Sequence, residues 1–242
     1  MSYTLVTANR NYSSWSLRPW LLMRALGIPF EDRVEPFATL DNHAAFRAFS
    51  PTGQVPVLLD GERTIWDSLG IALYLAERHD GVWPADEAAR AWAMCAVAEM
   101  HGGFGALRRE RTMTVGQRVT ATRGSEALAR DVARLAELWA DGLARFGGPW
   151  LAGEAFGAVD AFYAPVAFRV RTWGIDVGAA GARWVETVLV HPAMQEWERA
   201  ALAETFREDG HEAEVTAYGT VTRDDRAVSS ADEHGATSSP RA

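Results

Sequence analysis

The sequence predicts an α/β domain followed by an all-helical domain. Short β-favouring runs alternate with helical patterns only in residues 1–80. The pattern breaks at residues 80–86, and residues 87–207 then show helical periodicity without a convincing strand. Residues 208–242 are acidic and contain few large apolar side chains, so we expect this last segment to be a disordered tail.

Composition narrows the functional classes. With 48% hydrophobic residues in 242, the chain can fill two cores, and its net charge of -8 argues against nucleic acid as a partner. No apolar run is long enough for a membrane span, and the N-terminus lacks the pattern of a secretory signal. The single cysteine, Cys95, excludes an intramolecular disulfide, so we expect a reducing cytoplasm. All 24 basic residues are arginine, which excludes lysine-based catalysis.

The first strand and helix are joined by a serine-rich stretch. Residues 3–8 are a β-favouring run, and the helical pattern that follows ends at Gly27, a residue type common after helix C-termini. A proline has no N–H and is best tolerated in the first helical turn. Pro19 therefore places the start of this helix near Trp15 or Ser16.

Ser13 and Ser14 consequently lie at the N-terminus of the first helix. Free main-chain N–H groups and the positive end of the helix dipole meet there, and a hydroxyl in that field can donate to a thiolate or an oxyanion. The alternative is that both serines only cap the helix, as most serines before helices do.

The rest of the α/β domain is predicted to contain a second strand, a short helix and a hairpin. Residues 28–34 favour a strand, which gives a β-α-β unit with a right-handed crossover. Residues 41–49 favour a short helix. Asp60 and Gly61 stand between two β-favouring runs, as in a tight hairpin turn.

Two further segments of this domain have the chemistry to bind a ligand. Pro56 begins the first hairpin strand; most such prolines are trans, but a cis bond would leave the N–H and C=O of Val55 free for a peptide-like ligand. Asp67 and Ser68 open the next helix, where they act as caps or hold the charged ends of a ligand.

The helical domain offers weaker signals. Its apolar periodicity predicts helices over residues 88–112, 125–146 and 160–171, and a last one that begins at His191 and Pro192. We expect Cys95 to be a small core residue and His101 to be packed or solvated rather than to face a cleft. The arginines at 108, 109 and 111 are typical of a solvated face, although they could bind an acidic substrate. The six histidines lack metal-site spacing, so no metal is expected.

Several of these motifs together resemble the glutathione S-transferase superfamily over about residues 3–205. The resemblance rests on residues 54–58, on the Asp67-Ser68 pair at the family's spacing and on Asp160. It implies a thioredoxin-like first domain, a helical-bundle second domain, glutathione as co-substrate and a homodimer. In the family, the proline at the position of Pro56 is cis, the main chain of Val55 would bind the cysteinyl part of glutathione, and Asp67 and Ser68 would hold its γ-glutamyl end. Gln54 would add a contact.

The serine stretch is similar to that of the zeta class of this superfamily. Ser13 and Ser14 match the two serines of its Ser-Ser-Cys-x-Trp-Arg segment, which puts Ser13 in the place of the catalytic serine. The resemblance implies a glutathione S-transferase whose serine hydroxyl activates the thiol for attack on a small hydrophobic electrophile. Two alternatives remain open: a non-catalytic binding module, or a zeta-like cis–trans isomerase. The zeta arginine that holds a substrate carboxylate falls at Thr172, which argues against the isomerase.

Overall fold

The computed structural model describes residues 3–37 and 42–227. Its N-terminal part alternates strands and helices in this order: β1 (Tyr3–Thr7), α1 (Ser14–Ala25), β2 (Phe30–Val34), α2 (His43–Phe46), β3 (Val57–Asp60), β4 (Arg63–Ile65) and α3 (Ser68–Ala76). The four strands form one mixed sheet in the order β2-β1-β3-β4, in which β1 is parallel to β2 and antiparallel to β3. The β-α-β unit and the hairpin are confirmed; residue 41 of the predicted short helix lies outside the described residues.

Helix α1 joins the two parts of the molecule. It begins at Ser14, slightly earlier than predicted, so Pro19 lies inside the helix rather than in its first turn. Leu17 and Leu21 are fully buried, and α1 packs against the helix Ala158–Trp173 of the helical part. Trp20 Nε1 donates to Asp32 Oδ2 (2.7 Å) on β2. The N-terminus of α1 is therefore held rigidly between the sheet and the helices.

The second part is helical, as predicted. Its helices are α4 (Glu87–Gly102), α5 (Gly105–Glu110), α6 (Glu126–Phe146), α7 (Ala158–Trp173), α8 (Gly178–Leu189) and α9 (Pro192–Ala203). The predicted helix over residues 88–112 is divided at Gly103 and Phe104, where Phe104 has a φ of 54° and an added Cβ on Gly103 would lie 2.7 Å from the oxygen of Glu99. Helix α7 is buried along almost its whole length and forms the centre of this part.

Asp160 fixes the start of this central helix. Its Oδ1 accepts from Leu151 N (2.9 Å) and Trp184 Nε1 (2.9 Å), and its Oδ2 accepts from Gly157 N (3.2 Å). Burial raises the pKa of Asp160 to about 6, against the opposing effect of these hydrogen bonds. Gly157 has no side chain with which to accept a hydrogen bond at the helix start. The bond from its main-chain N–H to Asp160 remains, so glycine is tolerated at this position.

The prediction of a disordered tail was wrong for residues 209–224. These residues form α10 (Asp209–Tyr218) and β6 (Gly219–Asp224). Strand β6 pairs antiparallel with β5 (Gln117–Ala121), a strand that the helical periodicity did not predict. The remaining tail residues, 228–242, lie outside the described part of the chain.

A charged cluster compensates for the small apolar content of this C-terminal segment. The guanidinium of Arg226, whose side chain is only 2% exposed, pairs with Glu212 and Asp224. It also donates to the hydroxyl oxygen of Tyr12 (3.0 Å), and Tyr12 donates to Glu212 (2.5 Å). These charge-assisted hydrogen bonds attach the segment of residues 212–226 to the loop before α1.

The expectation that Cys95 is a core residue was also wrong. Cys95 is exposed, because α4 turns Ala93, Ala96 and Val97 toward the core instead. Met94 beside it is 41% exposed. Among the described residues, no helix is both long and apolar enough to cross a membrane.

Candidate functional site

A cavity of about 810 Å³ lies between the α/β part, the helices α4, α5 and α7, and the C-terminal helix α10. The structure brings six of the seven predicted site residues to its wall: Ser13, Ser14, Gln54, Val55, Pro56 and Asp67. The seventh, Ser68, is fully buried behind Asp67 and does not line the cavity; its hydroxyl has no hydrogen-bond partner among the described residues.

The two adjacent serines have different hydrogen bonds. Ser13 is the N-cap residue of α1 but its side chain makes no capping hydrogen bond; Ser13 Oγ donates to Ser16 Oγ (2.7 Å), which also accepts from Ala8 N (3.2 Å). Ser14 Oγ instead accepts from Arg169 Nη2 (3.4 Å). The hydroxyl hydrogen of Ser14 therefore remains free to donate to a group in the cavity, whereas that of Ser13 is used within the protein.

The segment before β3 presents its main chain to the cavity. The Val55–Pro56 bond is cis, as the resemblance implied. Ser50 Oγ accepts from Gln54 N (3.1 Å) and holds the turn, and Pro56 is buried at the start of β3. The main-chain N–H and C=O of Val55 make no hydrogen bond to any residue in the described ranges. This pair of groups is thus available to a peptide-like ligand.

Asp67 combines capping with an exposed carboxylate. Its Oδ1 accepts from Leu69 N (2.9 Å) at the start of α3, and its Oδ2 lies 3.2 Å from His101 Nε2. His101 lines the cavity, so the preference for a packed or solvated histidine was wrong. Burial lowers the pKa of His101. No local pattern predicts this pair, because Asp67 caps α3 and His101 lies near the end of α4, in a different part of the chain.

Three arginines lie at or behind the wall near Ser14. Arg108 and Arg169 line the cavity. Arg18 is buried, and its guanidinium carbon lies 3.9 Å from the ring centre of Trp15 and 5.1 Å from that of Phe162. None of the three forms an ion pair with a carboxylate among the described residues. Burial, with repulsion from the neighbouring arginines, lowers the pKa of Arg18 and of Arg169 to about 9.

Sequence reasoning assigned no role to Arg169. Its Nε donates to Arg111 O (2.9 Å) and its Nη1 to Pro165 O (3.2 Å), so the side chain is fixed with Nη2 toward Ser14. The available signal was an arginine inside the most apolar helical stretch of the chain, since a buried arginine without a carboxylate partner is rare.

Helix α10 supplies a further wall that sequence reasoning missed. Glu208, Gly210, His211 and Glu214 line the cavity. Glu214 accepts a hydrogen bond from Thr112 Oγ1 (2.9 Å), which attaches α10 to the segment after α5. Because the composition predicts a disordered tail, the sequence indicates no cavity-lining role for these residues. Within the described residues, no group of three or more histidine, cysteine or acidic side chains is arranged to hold a metal ion.

Comparison with protein families gives two matches. Residues 12–78 match the family described as "Glutathione S-transferase, N-terminal domain", and residues 118–200 match "Glutathione S-transferase, C-terminal domain". The two matches together cover more than half of the chain and include the serine stretch, the Val55–Pro56 segment and Asp67.

Individual proteins show partial or distant similarity. The chain is 44% identical over 61 residues to a dichloromethane dehalogenase from Methylorubrum extorquens, a match that spans 24% of this chain and 21% of that protein. A crystal structure of a glutathione transferase homolog from Burkholderia gl BGR1, with bound glutathione, has a TM-score of 0.64 at 22% identity and covers 83% of this chain and 98% of that one. A glutathione S-transferase from Rhodospirillum rubrum F11 has a TM-score of 0.64 at 20% identity, covering 84% and 93%. The two structures establish similarity of fold.

Proposed function

Because the chain belongs to the glutathione S-transferase family, we propose that it transfers the sulfur of glutathione to a small hydrophobic electrophile and that Ser14 contacts the sulfur. The observation that carries this proposal is the difference between the two serines. The Ser14 hydroxyl accepts from Arg169 and keeps its hydrogen for a ligand, whereas Ser13 donates to Ser16. The match of Ser13 to the zeta-class serine pointed to the other residue.

Glutathione is proposed to bind along the α/β side of the cavity. The free N–H and C=O of Val55 are complementary to the peptide groups of its cysteinyl residue. The exposed carboxylate of Asp67 can pair with the γ-glutamyl ammonium, and Gln54 is exposed nearby. Ser68, being buried, would support this end only after a small local rearrangement that brings its unpartnered hydroxyl to the ligand.

This arrangement would activate the thiol by stabilising its thiolate. The Ser14 hydroxyl would donate to the sulfur at the N-terminus of α1, and the cationic Arg169 lies directly behind that hydroxyl. Each of these groups is fixed before the reaction, so little reorganisation is needed when negative charge develops. The electrophile would then lie against the aromatic rings of Trp15, Phe37 and Phe46 on the cavity wall.

The structure offers no support for the zeta-like isomerase. Thr172, at the position of the zeta arginine, donates to Thr114 O (2.7 Å), and Arg171 pairs with Glu198 (2.7 Å) and does not line the cavity.

The proposal is tested by two measurements on the full chain. Calorimetry should show glutathione binding, and the protein with glutathione should release chloride from 1-chloro-2,4-dinitrobenzene and from dichloromethane, the compound in the name of the Methylorubrum relative. Binding without turnover of either compound would favour the non-catalytic binding module. Absence of binding would contradict both functions.

A further inference from the structure

Helix α10 begins with a glutamate and a histidine that face the same cavity as the serines. Glu208 is the N-cap of α10, and its Oε2 accepts from the main-chain N of His211 (2.8 Å) and lies 2.6 Å from His211 Nδ1. The carboxylate is almost completely buried, at 5% exposure. Although burial raises the pKa of Glu208, the hydrogen bonds from His211 and Gly210 outweigh it and hold the pKa below its usual range. Glu208 is therefore an acceptor, and Nδ1 of His211 carries the hydrogen.

The imidazole ring is fixed with its second nitrogen available. The ring stacks on Tyr12 (4.9 Å between centroids, 21° between planes) and on Phe37 (5.3 Å, 29°). The side chain is 29% exposed, and Nε2 makes no hydrogen bond within the described residues. A carboxylate on Nδ1 sets the tautomer of a histidine and orients its ring. The pair thus has the geometry of an acid–base group on the wall of the cavity that Ser14 also lines.

The polar and charged side chains around this pair are bonded to other residues and leave Nε2 of His211 available. Tyr12, against one face of the ring, gives its hydroxyl hydrogen to Glu212, and Glu212 is paired with Arg226. Glu214, on the same helix, is bonded to Thr112. Displacement of a halide by a thiolate has no use for a proton donor, since halide leaves as a stable anion. The position of His211 therefore suits a reaction in which negative charge develops on oxygen.

We propose that His211, oriented by Glu208, is the general acid of this site and protonates the oxygen on which charge develops when glutathione adds to an epoxide, an inference that rests on the proposed glutathione transferase function. The thiolate sulfur forms a bond to one epoxide carbon, the bond from that carbon to oxygen breaks, and its electron pair goes to the oxygen. The oxygen takes the proton from Nε2 of the imidazolium. Water has received the thiol proton and returns one to the ring, so the sum is addition of the thiol across the carbon–oxygen bond.

The experiment compares two electrophiles in one set of variants. Styrene oxide needs the proton, whereas 1-chloro-2,4-dinitrobenzene loses chloride without one. His211→Asn keeps an N–H donor toward Glu208 and removes Nε2. With glutathione, we expect the kcat/KM of His211→Asn to fall on the order of 100-fold for styrene oxide and much less for 1-chloro-2,4-dinitrobenzene. His79→Gln, a histidine outside the cavity, is the control and should leave the ratio of the two activities unchanged.

A second variant separates chemistry from structure. In His211→Ala, added imidazole should restore part of the styrene oxide activity, which a purely structural role of the ring would not allow. Equal losses of activity on both electrophiles without rescue would overturn the general-acid role. So would an unmodified protein that displaces chloride but does not open the epoxide. Either result would leave the transferase function standing. An unmodified protein that does neither would overturn the transferase function as well.

Discussion

Replacement of Ser14 by alanine removes the hydroxyl that we place against the glutathione sulfur. Ser14 is buried, with 7% exposure, so the lost hydrogen bond to a charged sulfur would not be replaced fully by water. Such a bond stabilises the charged form by about 1.5–3 kcal/mol. One pKa unit corresponds to about 1.36 kcal/mol, so the pKa of bound glutathione should rise by about 1–2 units.

The thiolate and the thiol differ in their ultraviolet absorption, so the pKa of bound glutathione can be measured directly by titration of the complex. At neutral pH, the Ser14→Ala variant should hold less thiolate, and its kcat/KM should fall by about tenfold to a hundredfold and recover as the pH rises through the new pKa. Ser13→Ala is the matched control, because the Ser13 hydroxyl donates to Ser16. Its complex should titrate close to that of the unmodified protein.

The reasoning would be refuted by the reverse pattern, in which Ser13→Ala raises the pKa and Ser14→Ala does not. An unchanged pKa in both variants would remove the serines from the mechanism altogether.

Three other predictions follow from the same structure. Asp67→Ala should weaken glutathione binding by about 1–3 kcal/mol in calorimetry, and because Asp67 also caps α3 it should lower the stability by about 1 kcal/mol; full affinity in this variant would argue against the γ-glutamyl site. Arg226→Met should lower the stability by about 2 kcal/mol, less than for a fully buried pair because Glu212 and Asp224 are partly exposed, and an unchanged Tm would contradict a structural role of the tail. Burial raises the pKa of Asp224, but Arg226 outweighs this effect and holds the pKa at about 2, below the ordinary 3.8. The stability that the ionised Asp224 contributes is therefore complete above about pH 4 and is lost as the pH falls through 2. This pH dependence should be absent in Arg226→Met. The exposed Trp66 and Met94 are proposed to lie in a homodimer interface, so light scattering should give twice the chain mass, and a monomer at micromolar concentration would contradict it.

Local patterns in the sequence determined most of the individual elements. The stretch over residues 125–146 was predicted as one helix, and Ser125 caps it through Oγ while Gly147 ends it with a φ of 84°. The turn at Asp60 and Gly61 joins β3 to β4 as expected. Each of these outcomes depends on residues a few positions apart, and a helical or strand period, a cap and a turn residue are readable at that range.

The tertiary structure decided which side chains meet. Ser13 and Ser14 are neighbours with the same chemistry, and their roles differ only because Arg169, 155 positions away, reaches one of them. Residues 209–224 have the composition of a disordered tail, but Arg226 bonds to Tyr12 across 214 positions and orders the segment that carries His211. Composition measures how much apolar surface a segment can bury by itself. It does not measure the free energy gained when buried charges and ring stacks form with residues far away in the chain, and that long-range contribution placed a helix over the cavity.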